Sequence, residues 1–151
     1  MQKRLHKMNE HADDLKLLEK ITNELMEEFE IYAPPVPIET MLQKPNAGMW
    51  DEVDINQLSG SFLSIKDPFS PRASLARMLV RHVAGSDWGR KRNLIEILRK
   101  DEELIHAFAR MIIMPAEMVL GLRSGERNPT IIKMKFEVPE DDARQRLLEL
   151  L

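Results

Sequence analysis

Cysteine is absent from this chain of 151 residues, which excludes a disulfide framework and any metal site built on thiolates. Aromatic residues make up only 5% of the sequence, while methionine occurs 10 times, so a soft and mostly aliphatic core is expected. No apolar run approaches the roughly 20 residues of a membrane-spanning helix. The basic residues 1–7 are not followed by the apolar stretch of a signal peptide. These absences predict a cytoplasmic protein without a membrane partner.

What the chain does contain is typical of one globular domain. Hydrophobic residues make up 43% of the sequence and charged residues 31%, and the net charge of −3 gives no general attraction to nucleic acid. Apolar residues recur with helical spacing in residues 12–30, 72–84 and 101–113. Residues 61–65, Ser-Phe-Leu-Ser-Ile, are the best candidate for a strand. Residues 132–138 alternate between apolar and charged residues, which locally also indicates a strand.

Five segments, taken in order, resemble the ImmA/IrrE family of metallopeptidase-like proteins. They are Pro34-Pro35-Val36-Pro37-Ile38-Glu39 after a first helix, Gly60-Ser61-Phe62-Leu63-Ser64-Ile65, Pro71-Arg72-Ala73-Ser74-Leu75-Ala76, Ala107-Phe108-Ala109 with Ile112-Ile113-Met114-Pro115, and Phe136-Glu137-Val138-Pro139 with Ala143-Arg144-Gln145-Arg146-Leu147. The resemblance implies a single domain over residues 1–151 with an α+β, zincin-like fold. That fold would be mostly helical, with a small β-sheet packed on the former active-site helix and a C-terminal helical hairpin. The hairpin implies that residues 131–137 are helical, against their local alternation.

The catalytic positions that the resemblance assigns carry the wrong chemistry. Active members of the family hold zinc with two histidines of a His-Glu-x-x-His helix and with a glutamate from the helix before Met-Pro. Here the two histidine positions are Arg77 and Arg81, the base position is Met78, and the third ligand position is Leu104. Arginine stays protonated and offers no lone pair to a metal. No catalytic residue and no cofactor are therefore expected.

Three interpretations of Arg77 and Arg81 are open. Four residues apart, they lie about 40° from each other on a helical wheel, opposite an apolar stripe, so they can form a solvated basic face. They can instead line the vestigial cleft and form ion pairs with Glu102 or Glu103, so that an ion pair replaces zinc as the link between two helices. Two guanidinium groups also suit an anion such as phosphate or carboxylate.

A metal site with a rearranged ligand set is a weaker alternative. It would use His82, His106 and Glu103, and only then would zinc be a cofactor. Each histidine is more simply explained as a packed or surface side chain.

These observations lead to an expected function. A domain of this kind without its catalytic residues is expected to act as a binding or regulatory module in transcription regulation. Because active relatives resemble proteases that cut helix-turn-helix repressors, such a repressor is the expected protein partner. The alternative is a metal-dependent peptidase with the rearranged ligands. Direct binding to nucleic acid is not expected, since residues 90–92 are basic but residues 101–103 and 140–142 are acidic.

Overall fold

A computed structural model describes residues 2–57 and 67–151, and helices dominate both ranges. The nine α-helices of these ranges are α1 (Gln2–Glu28), α2 (Ile38–Gln43), α3 (Ser70–Gly85), α4 (Asp87–Arg90), α5 (Leu94–Leu98), α6 (Glu102–Ile113), α7 (Ala116–Leu120), α8 (Pro129–Phe136) and α9 (Glu140–Leu150). Short 3₁₀ turns occur at Ile55–Gln57 and Ser124–Glu126. None of the helices in the described ranges is both long and apolar enough to cross a membrane.

The expected α+β fold with a small β-sheet is wrong. Residues 2–57 and 67–151 contain helices, turns and irregular segments but no strand, and the helices bury the core against one another. The candidate strand at residues 61–65 lies outside the described residues. The helical interpretation of residues 131–137 is confirmed, since α8 covers most of that range.

Capping explains why the alternating segment is a helix. The side chain of Asn128 accepts a hydrogen bond from the Ile131 amide at 3.0 Å, and Pro129 occupies the first helical turn. These two residues fix the start of α8. The Asn128 side chain satisfies one of the unpaired amides of the first turn, and Pro129 has no amide hydrogen to satisfy. Glu137, with φ of 56°, ends the helix. The apolar residues Ile132 and Phe136 are four positions apart and are both buried, as a helical face requires.

The core lies where α3 packs on α6 and where α6 packs on α1. Ala73, in the first turns of α3, shares a cavity with Ile113 at the end of α6, whereas Ala84 near the end of α3 shares a groove with Ile105. The two helices therefore run antiparallel. The stripe of α3 that the sequence predicted to be apolar is buried: Leu75, Ala76, Leu79, Val80 and Val83.

Two arginines, one partly and one fully buried, join distant segments. The Arg72 guanidinium donates to both carboxylate oxygens of Glu39, at 2.8 and 2.7 Å, and to the carbonyl oxygens of Val36 at 2.8 Å and Glu137 at 3.1 Å. It thereby joins α2, α3 and the end of α8. Arg146 of α9 is fully buried and makes a bidentate pair with Glu19 of α1. Because each guanidinium has five donors in a fixed plane, it can satisfy several acceptors at once.

Candidate functional site

Arg77 and Arg81 line different openings. Arg77 is half-buried and lines a small cavity between α3, α6 and α9, with a volume of about 30 Å³. Arg81 is exposed and lines an apolar groove between α3, α5 and α6. Although both point away from the core, one turn of helix separates them along the axis.

The Arg77 cavity contains a carboxylate that the sequence did not indicate. Its lining includes Arg77, His106, Arg110 and Asp142. The Arg77 Nη2 atom donates to the Ser74 hydroxyl oxygen at 3.1 Å. Burial raises the pKa of Asp142 above its ordinary 3.8, while the nearby charges of Arg110 and Arg77 lower it and only partly offset the burial. The cavity is thus a mixed-charge cluster with room for about one water molecule.

The pH dependence of stability in an Asp142 variant tests the raised pKa of this carboxyl group. A carboxyl group whose folded-state pKa is raised binds its proton more tightly in the folded protein than in the unfolded one, so its ionisation costs stability as pH rises above 3.8. Asp142→Asn should remove this cost, and the variant should gain stability relative to the wild type as pH rises from about 4 towards neutrality. Urea unfolding across that range measures the difference. Parallel stability curves for the two proteins would refute a raised pKa.

Arg110 is the second residue of this cluster that sequence reasoning missed. Its guanidinium makes a bidentate pair with the Glu149 carboxylate, at 3.2 Å from Nε and 3.0 Å from Nη2. The two side chains are only 16% and 20% exposed. The pair joins α6 to α9 and leaves Arg110 facing both Glu149 and Asp142. An i,i+4 or motif-based search cannot find such a partner, since 39 residues separate the pair in the chain.

Glu102 and Glu103 occupy the first turn of α6 and are exposed. Through the described ranges of the chain, no salt bridge connects either glutamate to Arg77 or Arg81. The Glu103 amide instead donates to the Asp101 carboxylate at 3.0 Å, which caps the helix. Acidic residues at this position are stabilised by the helix dipole. The two glutamates therefore have a local role in starting α6.

The remaining positions of the expected cleft are apolar and packed. Leu104 is 1% exposed, and Met78 is partly buried against the core. Leu104 also lines a groove that faces α1, together with Asp14 and Lys100. The third ligand position therefore opens towards α1, while Arg77 opens towards α9. The residues present do not fit a zinc ion, because none of Arg77, Met78, Arg81 and Leu104 supplies a ligand of the kind zinc requires.

The rearranged metal set is not assembled either. His106 lines the Arg77 cavity, whereas His82 is a half-buried residue in the last turn of α3 and Glu103 is exposed on α6. Within residues 2–57 and 67–151, no three side chains among histidine, aspartate and glutamate are grouped as a metal would need. His82, His106 and Glu103 accordingly do not form a ligand set in this structure.

The basic segment at residues 90–92 is mostly occupied with internal contacts. The Arg92 guanidinium lies over the Trp88 ring at 3.6 Å from its centroid, and its Nε atom donates to Glu24 at 2.8 Å. Arg90 pairs with Asp87 on the same helix. These contacts reduce the positive charge that the segment would offer to a phosphate backbone.

Comparison with family models, with curated proteins and with solved structures found no match to this chain.

Proposed function

We propose that the chain is a non-catalytic relative of the ImmA/IrrE metallopeptidases that acts in the cytoplasm as a protein-binding module. Its proposed partner is a helix-turn-helix transcription repressor. Support for the relationship comes from the five ordered sequence segments and from the packing of α3 on α6, because helices that once shared metal ligands must lie side by side.

The observation that carries the non-catalytic part is the small size and the lining of the pocket beside Arg77. A cavity of about 30 Å³ between α3, α6 and α9 accepts a water molecule but not a peptide bond with its flanking residues. The two guanidinium groups and one carboxylate around it neutralise one another in part. The ligand positions also lack donors that a metal could use. This supports binding rather than cleavage.

The groove lined by Arg81 supports the binding part. It has a volume of about 260 Å³, and its walls are apolar apart from two arginines. They comprise Val80, Arg81, Ala84, Gly85, Ile95, Leu98, Arg99 and Ile105. Ile95 is 44% exposed, and the Arg99 side chain is 70% exposed. An apolar floor with cationic residues at its rim suits an amphipathic helix that carries acidic side chains. We assign that helix to the repressor.

Capture by the tagged chain from an extract of its source, followed by calorimetry with the purified partner, tests this proposal. The wild-type chain should recover a helix-turn-helix protein, and Arg81→Glu should weaken its binding about tenfold or more, because a carboxylate would then face an acidic helix. Arg123→Glu is the matched control, since Arg123 is exposed but lies on the loop after α7. Recovery of no helix-turn-helix protein, or equal binding by Arg81→Glu and the wild type, would contradict the proposal.

A further inference from the structure

The first turns of α1 lie before the point at which the helix meets the folded body through the ion pair of Glu10 with Lys100, at 2.9 Å. Every residue from 2 to 9 is exposed, and these residues are called the arm below. Leu5 and Met8 are large apolar side chains in the arm with exposed fractions of 56% and 61%. They are three positions apart, so they share one face of the helix. The arm therefore presents an apolar face that nothing in the described part of the chain covers.

A groove lined by two glutamates lies at the other end of the same helix. It has a volume of about 260 Å³ and is formed by the last turns of α1, the following turn and α7. Its residues are Asn23, Met26, Glu27, Ile31, Tyr32, Pro115, Glu117 and Met118. Tyr32 is 73% exposed. The groove combines apolar side chains with two carboxylates and has no cationic residue in its lining.

The arm carries the complementary charge. Residues 2–9 include Lys3, Arg4 and Lys7 but no acidic residue. These basic side chains are attracted to the Glu27 and Glu117 carboxylates, and the attraction would steer and orient the contact. The apolar residues match as well, since Leu5 and Met8 can insert beside the methionines and the tyrosine of the groove.

The spacing along α1 shows that the arm and the groove share one side of the helix. Leu5 and Asn23 are 18 residues apart, as are Met8 and Met26, and 18 residues make five complete turns. The arm and the groove are thus in line but separated by about 27 Å along a continuous helix, so a chain cannot dock its own arm. In a two-fold pair of antiparallel α1 helices, each arm would meet the groove of the other copy. An interface of this kind is self-complementary and closed.

We propose that a second copy of this chain occupies the groove, and that two chains form a symmetric dimer through reciprocal arm–groove contacts. Both copies use Leu5 and Met8 as apolar anchors, with the basic arm against Glu27 and Glu117. This interface involves a different surface from the Arg81 groove, so it is independent of the proposed repressor binding.

Analytical ultracentrifugation of two charge-reversed variants, alone and mixed, tests the proposal. The arm variant is Lys3→Glu/Arg4→Glu, and the groove variant is Glu27→Lys/Glu117→Lys. The wild type should dimerise, and each variant alone should dimerise about tenfold or more weakly, because like charges then face each other. An equimolar mixture of the two variants should form a heterodimer, since both of its contacts regain opposite charges. Leu148→Glu is the control, being a comparable change at a 72% exposed leucine of α9.

Several outcomes would overturn the proposal. A wild-type chain that is monomeric at all concentrations excludes the dimer. Dimers that persist in Leu5→Glu/Met8→Glu show that the arm is not the contact. Variants that fail to associate when mixed, although their circular dichroism and melting temperatures match the wild type, show that the arm and groove do not meet. Binding of a basic amphipathic peptide by a monomeric chain would assign the groove to a different partner and would likewise overturn the dimer.

Discussion

Glu19→Leu is expected to destabilise the protein by about 3 kcal/mol, because it leaves a buried guanidinium without its counter-ion. Arg146 is fully buried, and its two terminal nitrogens donate to the Glu19 carboxylate oxygens at 2.8 and 2.7 Å. Its Nε atom donates to the Met114 carbonyl oxygen at 2.9 Å, so one side chain joins α9, α1 and the turn before α7. After the substitution, the nearest carboxylate is Glu149, at 3.9 Å. Urea denaturation measures the loss.

The same substitution at Glu24 is the matched control. Glu24 also lies on α1 and pairs with an arginine at 2.8 Å, but the side chains of Arg92 and Glu24 are 25% and 35% exposed. Water can solvate Arg92 once its partner is removed, so Glu24→Leu should cost only about 0–1 kcal/mol. The double variant Glu19→Leu/Arg146→Met should recover most of the loss, since it removes both charges from the interior. Equal losses for Glu19→Leu and Glu24→Leu would contradict a buried, structural role for Arg146.

Gly89→Ala is expected to cost about 2–4 kcal/mol, because there is no space for a methyl group at that position. A Cβ atom there would collide with the Val83 carbonyl oxygen and would lie 2.9 Å from the Val83 carbonyl carbon. Both contacts are with backbone, which cannot rotate away. The backbone is held close by Ser86, whose hydroxyl donates to the Val83 oxygen at 2.6 Å and accepts from the Gly89 amide at 3.0 Å.

Gly85→Ala provides the control for Gly89. It lies in the last turn of α3, and a Cβ atom built there meets nothing within 4 Å. Since alanine is favoured over glycine in a helix by up to about 1 kcal/mol, Gly85→Ala should be neutral or stabilising. Thermal and urea unfolding of both variants give the comparison. A Gly89→Ala protein as stable as Gly85→Ala would show that α3 and α4 do not approach as closely as described.

Helices with strong local signals could be predicted from the sequence, and long-range arrangements could not. The segments at 72–84 and 101–113 correspond closely to α3 and α6, because apolar periodicity and breakers at both ends define them locally. The first helix was expected from residue 12 but begins at Gln2. Its exposed turns have no apolar face towards the core, so periodicity could not indicate them. The expected β-sheet was wrong because it rested on a resemblance and on the strand-like composition of residues 61–65, which lie outside the described ranges, and neither of these measures pairing between strands.

The candidate site shows the same limit. The buried stripe of α3 could be predicted from the sequence, because helical spacing is a property of one helix. The sequence could not show that Asp142, 65 positions after Arg77, closes the cavity, because only tertiary packing brings α9 there. Glu102 and Glu103 were chosen as partners for their charge and for the helix that carries them. Both glutamates lie in the exposed first turn of α6 and make no ion pair with Arg77 or Arg81 in the described ranges.

The zinc content of the chain, purified without chelator and then exposed to zinc and desalted, tests the central claim most directly. The claim is that this chain is a binding module without metal chemistry. It predicts far less than one zinc ion per chain by elemental analysis, because arginine, methionine and leucine stand at the positions that need histidine and carboxylate ligands. A stoichiometry near one zinc ion per chain that is lost in His106→Ala would contradict the account.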